Sequence, residues 1–293
     1  MKGIWIDTDI GSDVDDAVAL LCAARHPEIH LIGVSTVTLR VEIRTWLARR
    51  MLECANTQNV TVLPGSVAPV TGEQPASVEL PSHGRLAPEL PPLSPAEDGD
   101  RIDAIAQAMI AYPESFHLLT IGPLTNIARL LDRHPGITDR WASLTCMAGH
   151  LETEPEYNVR GDAAAARLTF ERLGPSLVGL EASSETLSRE EAEAALDPAD
   201  PASAFLLDCY REYRAHPGWH RDPERAPLTL FDAITLLSLV VPEAFDFQAL
   251  SVLVEKDGRM RLTDDGAPVT YALSSDWAAL EPRITALLRG ELA

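Results

Sequence analysis

Five carboxylates stand within ten residues in the segment Asp7-Thr8-Asp9-Ile10-Gly11-Ser12-Asp13-Val14-Asp15-Asp16. An apolar run that ends at Ile6 precedes this segment, and a second apolar run begins at Ala17. This order predicts a β-strand, an acidic loop and an α-helix. Ligands of open parallel sheets collect where strands end and helices begin, so the loop is the first place to expect a functional site.

The same alternation continues through the first two thirds of the chain. We predict strands at 3–6, 29–37, 60–63, 116–121, 143–147 and 176–180, and helices at 17–24, 41–54, 102–111, 124–131 and 163–173. Such alternation is typical of an α/β fold with a mainly parallel, Rossmann-like open sheet flanked by helices. From about Leu187 the pattern indicates a more helical final third, with a hairpin at Asp257-Gly258, a dipeptide that tolerates the positive φ angles of a tight turn.

The length and composition favour one large unit. The chain has 293 residues, of which 46% are hydrophobic, enough to bury a large core. It shows neither an internal repeat nor a convincing linker, so we predict a single domain over 1–293. The segment 65–99 is rich in Pro, Ser and Glu and is too long for an ordinary connection, which predicts an active-site flap or loop.

The charge balance limits the possible partners. Acidic residues outnumber basic ones 44 to 24, giving a net charge of −20, which would repel a nucleic-acid backbone or an anionic membrane. No apolar run approaches the roughly 20 residues of a spanning helix. The four cysteines show no C-x-x-C pairing, as expected in a reducing compartment. We therefore predict a soluble cytoplasmic protein that binds a small molecule and neither nucleic acid nor membrane.

The acidic loop is a candidate metal site. Repulsion among so many carboxylates is costly unless a cation or a helix N-terminus offsets it. Oxygen ligands at this density favour a hard ion, calcium or magnesium, over zinc. The ordinary alternative is that Asp13 or Asp15 caps the following helix while the other acids are solvated, although capping needs one acid rather than five.

Six segments, in order, carry a resemblance to a known family. The strand followed by Asp-Thr-Asp-x-Gly, and by Asp-Asp-Ala at a helix start, resembles the N-terminal fingerprint of the inosine-uridine-preferring nucleoside hydrolases. Five later segments resemble that family in the same order: Ile32-Gly33-Val34-Ser35-Thr36-Val37, His83-Gly84, Ile121-Gly122-Pro123-Leu124-Thr125-Asn126, Met147-Ala148-Gly149 with Glu156-Tyr157-Asn158, and Phe231-Asp232-Ala233. The resemblance spans roughly 3–240, and its joint order is more specific than any one motif.

The resemblance implies calcium-dependent hydrolysis of the N-glycosidic bond of ribonucleosides, giving free base and ribose, in a homodimer or homotetramer. It assigns the calcium ligands, with magnesium less expected, to Asp9, Asp16, Asp232 and the backbone carbonyl of Ile121. Asp9 would also be the base that deprotonates a water molecule. The predicted substrate contacts are Asp13, Asp15, Arg40, Met147, Glu156, Asn158 and Phe231. Two more residues lie between Gly11 and the Asp-Asp pair than is usual, so Asp13 could do the work of Asp15.

Two positions depart from the family pattern. Thr38-Leu39-Arg40 occupies the stretch in which the family usually has an Asn or Asp that binds ribose. Phe231 stands where inosine-uridine-preferring members have a histidine that helps the departing base. Protonation of the leaving group must then come from elsewhere, and the candidates are His83, His150 and His220. The alternative for each is that it is an ordinary surface histidine without a catalytic role. The loss of the histidine favours purine substrates or an unusual glycoside.

Two other functions compete with hydrolysis of nucleosides. Phe231 and Arg40 motivate the first, a homologue that binds metal and ribose but has weak or altered activity. The second is a magnesium-dependent phosphatase of the haloacid dehalogenase kind, in which Asp-x-Asp also closes the first strand. Gly11 stands where that family has Thr or Val, and a substrate phosphate would fit poorly among five acids.

Overall fold

The computed structural model describes residues 1–72, 82–151, 154–216 and 222–291. The strands are Lys2–Thr8 (β1), Ile29–Thr36 (β2), Thr61–Pro64 (β3), Phe116–Thr120 (β4), Trp141–Met147 (β5), Ser176–Val178 (β6), Thr186–Leu187 (β7), Leu228–Thr229 (β8), Phe245–Val254 (β9), Met260–Leu262 (β10) and Ala267–Ser275 (β11). The helices are Asp15–Arg25 (α1), Val41–Cys54 (α2), Asp98–Ala111 (α3), Thr125–Arg133 (α4), Tyr157–Gly161 (α5), Ala163–Leu173 (α6), Leu180–Ser183 (α7), Arg189–Ala195 (α8), Pro201–Ala215 (α9), Phe231–Ser238 (α10) and Trp277–Arg289 (α11).

In this described part, nine strands form one sheet in the order β10-β9-β11-β6-β5-β4-β1-β2-β3. The run from β3 to β6 through β1 is parallel throughout, and it has the strand order of doubly wound nucleotide-binding folds. The prediction of an α/β fold with a mainly parallel sheet is therefore confirmed. The order reverses between β1 and β4, which opens a crevice at the carboxyl ends of those two strands.

Helices cover both faces of the sheet, as the alternating pattern predicts. Apolar side chains of α1, α2, α9, α10 and α11 form the core on one face, and those of α3, α4 and α6 form it on the other. Helix α1 is buried from Asp15 to Ala23 because it packs between the sheet, α10 and α11. A helix buried on every side fixes the position of the acidic residues at its first turn.

The final third is less helical than the sequence indicates. It contains α8 to α11, but β9 and β11 also pair antiparallel over most of their length, and β11 extends the main sheet beside β6. Both strands have several exposed positions, so they lack the continuous apolar run that marks the buried parallel strands. The hairpin at Asp257-Gly258 is confirmed, because the Glu255 amide donates to the Arg259 carbonyl at 2.8 Å.

Residues 65–99 contain short 3₁₀ helices at Ser82–Leu86 and Pro95–Glu97, and α3 begins inside the segment at Asp98. The Ser82 hydroxyl donates to the Ser12 carbonyl at 2.9 Å, so this part packs against the acidic loop. The role of 65–99 as a flap and the single domain over 1–293 stay predictions. Across the described ranges, no helix is both long enough and apolar enough to cross a membrane.

Candidate active site

A cavity of about 460 Å³ opens at the crevice between the carboxyl ends of β1 and β4. The Asp7 carbonyl accepts the Ile121 amide at 2.8 Å, which holds the loops after the two strands side by side. The residues that line the cavity come from segments far apart in sequence: Asp9, Ser12, Asp13, Asp15, Asp16, Ile121, Met147, Pro155, Glu156, Tyr157, Asn158, Arg160, Leu180, Tyr213, Phe231 and Asp232. Most of the residues that the sequence singles out therefore meet in one place.

Three buried aspartates form the centre of the site. One carboxylate oxygen each of Asp15, Asp16 and Asp232 lies within 4.8 Å of the others. Asp15 and Asp16 begin α1, and Asp232 lies in the first turn of α10. Oxygen atoms at this spacing suit a hard divalent cation. Asp9 and Ile121 line the same cavity, and their binding of a metal ion stays a prediction.

The electrostatics of this cluster call for a cation. Burial raises the pKa of Asp15, Asp16 and Asp232 well above the usual range, and the charges of the neighbouring aspartates raise it further. The N-terminus of α1 offsets only part of a charge, whereas several carboxylates converge. Metal binding requires these ligands to be deprotonated, so a bound cation supplies the opposite charge that their ionised forms lack. The residues present fit a hard metal ion.

Asp9 lines the cavity with a buried carboxylate. Its Oδ2 atom accepts no hydrogen bond from the described residues and lies near the Arg44 guanidinium. Burial raises the pKa of Asp9 to about 6, although the nearby Arg44 guanidinium lowers it. A carboxylate with one unoccupied oxygen beside a metal cluster can accept a proton from water at neutral pH. Gly122 makes room for it, since a Cβ there would lie 2.8 Å from the Asp9 amide nitrogen.

Arg44 on α2 is a buried cation that the sequence analysis missed. Its side chain is 0% exposed, and its Nη1 atom lies 3.9 Å from Asp9 Oδ2. The guanidinium donates to the carbonyls of Asp9, Ile10 and Leu39 and to the Ser12 hydroxyl. Arg44 therefore fixes the backbone of the acidic loop through hydrogen bonds from the buried side of that loop. A signal existed, because an arginine on the apolar stripe of an amphipathic helix is expected to have buried partners.

A second layer behind the loop fixes the end of β1. Asp7 is buried and accepts hydrogen bonds from the Ser35 hydroxyl and, at 2.8 Å, from the Asn126 amide. Burial raises the pKa of Asp7 to about 7, against the effect of these hydrogen bonds. Asn126 also accepts the Ser66 amide at 2.8 Å. The Leu-Thr-Asn turn thus ties β1 to the loop after β3, a positioning role that the sequence analysis did not assign to Asn126.

Asp13, in the longer loop, points away from the metal cluster toward α9 and β8. Its carboxylate accepts the Thr229 hydroxyl and the Val14 amide. A side-chain hydrogen bond from Tyr213 also lowers its pKa, against the larger effect of burial. The two candidates for one role are therefore separated: Asp15 joins the cluster, whereas Asp13 is held at the cavity wall.

Glu156 and Asn158 lie at the start of α5, on the wall formed by the loop after β5. Glu156 caps the helix, because its carboxylate accepts the amides of Asn158 and Val159 and, at 3.2 Å, that of Gly149. The side-chain amide of Asn158 donates to the Met147 carbonyl at 3.1 Å. Both side chains line the cavity with Met147. These hydrogen bonds fix the positions of Glu156 and Asn158 in the cavity wall. That the two side chains contact a sugar stays a prediction.

The histidine candidates are not brought into the cavity by the described part of the structure. His83 is 0% exposed, neither ring nitrogen has a hydrogen-bond partner, and its backbone amide donates to the Gly11 carbonyl. Burial lowers the pKa of His83 to about 3, so the ring is neutral near pH 7. His150 hydrogen-bonds the Glu154 carbonyl at 3.1 Å and does not line the cavity. His220 lies outside the described residues.

The two departures from the family pattern have different positions. Arg40 is not among the cavity residues; it pairs with Glu42 and donates to the Leu90 carbonyl at 3.3 Å. The structure therefore gives no support for Arg40 as a substrate contact. Phe231 does line the cavity, immediately before Asp232. Tyr157, Arg160 and Tyr213 also line it and were not singled out.

A doubly wound sheet with a buried carboxylate cluster at its strand reversal fits a metal-dependent hydrolase of small molecules. The model of the inosine-uridine preferring nucleoside hydrolases matches residues 4–280. The chain belongs to this family, which is metal-dependent, and it is a hydrolase that acts on the N-glycosidic bond of ribonucleosides.

Relatives with different base preferences in their names match over most of the chain. It is 28% identical to the probable uridine nucleosidase 1 of Oryza sativa subsp. japonica over 267 residues, 86% of this chain and 81% of the relative. The plant nucleoside hydrolase PpNRh1 superposes with a TM-score of 0.81 at 22% identity, covering 98% of this chain and 99% of that one. The purine-preferring ribonucleoside hydrolase from Gardnerella vaginalis gives 0.78 at 24% identity, with coverage of 98% and 99%.

Proposed function

We propose that this chain hydrolyses ribonucleosides to free base and ribose with calcium as its metal ion. The observation that carries the proposal is the meeting of Asp15, Asp16 and Asp232 in one cavity with Asp9. Calcium accepts six to eight oxygen ligands in flexible geometry, which suits carboxylates from two helices better than the strict octahedron of magnesium. The ion would be held by Asp9, Asp16, Asp232 and the Ile121 carbonyl. The Asp15 carboxylate lies within 4.8 Å of those of Asp16 and Asp232 and would bind sugar hydroxyls beside the ion instead of coordinating it.

The reaction follows from the chemistry of the chain's own residues. A water molecule gives a proton to Asp9 Oδ2 while its oxygen attacks the anomeric carbon. The bond from that carbon to the base nitrogen breaks, and its electron pair leaves with the base. The metal, when bound, lowers the pKa of the attacking water. Asn158 and Glu156, fixed by their backbone hydrogen bonds, would orient the sugar, which contributes through positioning.

A homologue that binds metal and ribose with weak or altered activity is the second candidate. Phe231 favours it, since its side chain cannot protonate a leaving group and no described histidine lines the cavity. Turnover of nucleosides under saturating metal separates the two functions. The haloacid dehalogenase alternative is wrong, because the family match covers 4–280.

The experiment measures free base released from inosine, guanosine, adenosine, uridine and cytidine. Metal-free protein is compared with protein reloaded with calcium, magnesium or zinc. We expect release only in metal-loaded samples, highest with calcium, and a fall of at least about 100-fold in Asp9→Asn. Asp232→Asn should weaken calcium binding in a titration. Binding of ribose without release of any base would contradict hydrolysis and support the second candidate.

We also propose that the chain forms a homodimer or homotetramer in the cytoplasm, where it would serve nucleoside salvage. The family resemblance supports this proposal. Light scattering on the purified protein measures the oligomeric state directly, and a monomer at micromolar concentration would contradict it.

A further inference from the structure

Arg160 is the basic side chain of the active-site cavity. Among the described residues that line it, six are acidic and Arg160 alone is basic. Arg44 lies beneath the acidic loop and is 0% exposed, whereas Arg160 forms part of the open wall. In a cavity lined by carboxylates and a chain of net charge −20, this guanidinium can bind an electron-rich part of the ligand.

The guanidinium of Arg160 has no polar partner within the part of the chain that the structure describes. It makes no ion pair within 4.0 Å there, and its Nε atom is buried without a hydrogen bond. Its guanidinium carbon lies 5.7 Å from the centroid of the Tyr157 ring. A guanidinium that packs on a ring face can still donate its N–H groups to a ligand that lies in the plane of the cation.

The backbone of Arg160 is held firmly. Its amide donates to the Glu156 carbonyl at 2.9 Å, which links it to the helix cap. The β9–β10 turn packs against it from outside, because a Cβ on Gly258 would lie 2.6 Å from the Arg160 Cα. The position from which the Arg160 side chain extends is thus fixed in the cavity wall, which lowers the cost of ordering it around a ligand.

The departing base is the part of a nucleoside that needs such a group. It takes the electron pair of the broken bond and becomes negative, and Phe231 cannot donate a hydrogen bond to it. A guanidinium presents two parallel N–H donors, a geometry that matches the O6 and N7 acceptors of a 6-oxopurine. Adenine places an amino donor at position 6 and lacks this pair of acceptors.

We propose that Arg160, stacked on Tyr157, binds the O6 and N7 atoms of a 6-oxopurine base and offsets the charge of that base as its glycosidic bond breaks. The electron pair goes to N9, the water proton goes to Asp9, and the released base takes its proton from solvent. Arg160 remains protonated throughout. This inference rests on the proposed hydrolysis of ribonucleosides and deepens it, since it names inosine-like and guanosine-like substrates.

The test compares wild type, Arg160→Met and Arg160→Lys, with Arg167→Met as an exposed control on α6. Each protein is assayed in calcium with inosine, adenosine, inosine 5′-monophosphate and p-nitrophenyl β-D-ribofuranoside. The last compound has a stable leaving anion without purine acceptors. We expect Arg160→Met to lower the ratio of kcat/KM for inosine to that for the nitrophenyl riboside by about 10- to 100-fold. Arg160→Lys keeps the positive charge but lacks the two parallel N–H donors, so it should recover only part of the wild-type ratio.

Three results would overturn the role of Arg160. An equal fall with the nitrophenyl riboside would place its effect on the sugar or on the fold. An equal fall with adenosine would exclude recognition of O6. Preference for inosine 5′-monophosphate, lost in Arg160→Met, would assign the guanidinium to a phosphate. Failure of the proposed function is distinct, because wild type would then cleave neither the nucleosides nor the nitrophenyl riboside.

Discussion

Replacing Arg44 by methionine should destabilise the protein severely although the residue never touches the cavity. The side chain is 0% exposed and donates to three carbonyls and one hydroxyl. Methionine has a similar length but no donor, so the carbonyls of Leu39, Asp9 and Ile10 lose a partner, and the Asp9 charge loses its counter-charge. Breaking a buried pair by removing one member costs about 3–5 kcal/mol.

Urea unfolding, followed by circular dichroism, measures this loss. At an m-value of about 3 kcal/mol/M, the midpoint should fall by about 1 to 1.7 M. Arg50→Met is the matched control on the same helix, since the Arg50 side chain is 50% exposed and pairs with the exposed Glu53 at 3.6 Å. That variant should change stability by less than about 1 kcal/mol. Equal midpoints for the two variants would refute the role assigned to Arg44.

Three further predictions concern the site. Burial raises the pKa of Asp7 to about 7 and of Asp9 to about 6. Because folding favours the protonated form of both groups, their contribution to stability is fully present below about pH 3.9 and is lost as the pH rises through 6 to 7. Stabilisation by calcium should therefore grow from about pH 5 to 8 in calorimetry with and without the ion, and a constant effect would contradict this. Phe231→His should raise kcat/KM for uridine at least about 10-fold relative to the nitrophenyl riboside; an unchanged ratio would exclude the position as a leaving-group site. Gly122→Ala places a Cβ 2.8 Å from the Asp9 amide, so kcat should fall and stability should drop by about 1–3 kcal/mol, and unaltered values would show that the loop yields.

The elements nearest the site could be predicted because local sequence and tertiary environment agree there. Helices α2 and α6 have the bounds that the sequence indicates, and β1 runs only two residues past its predicted end, to Thr8. Buried parallel strands are continuous apolar runs, which are the clearest signal in a sequence. By contrast, β11 and the first half of β9 contain several exposed residues, so their assignment depends on the strand beside them.

The candidate site divides in the same way. Asp9, Asp16 and Asp232 could be named from motifs, because oxygen ligands must follow strand ends and helix starts. Arg160 and Tyr213 could not, since their importance arises from the wall to which α5 and α9 bring them. The longer acidic loop left Asp13 and Asp15 as alternatives. They are separated by the hydrogen bond from Thr229 to Asp13 and by the place of Asp15 in the carboxylate cluster, neither of which can be read from the sequence.

The wide separation of the carboxylates in sequence has a consequence for folding. Asp16 and Asp232 are 216 positions apart, yet their oxygen atoms lie within 4.8 Å in the folded chain. A cation held by both would act as a reversible cross-link between the two ends of the protein, and such a link gains more from closing a long loop than a short one. Protease resistance would then depend on the bound ion even at cleavage sites distant from the cavity.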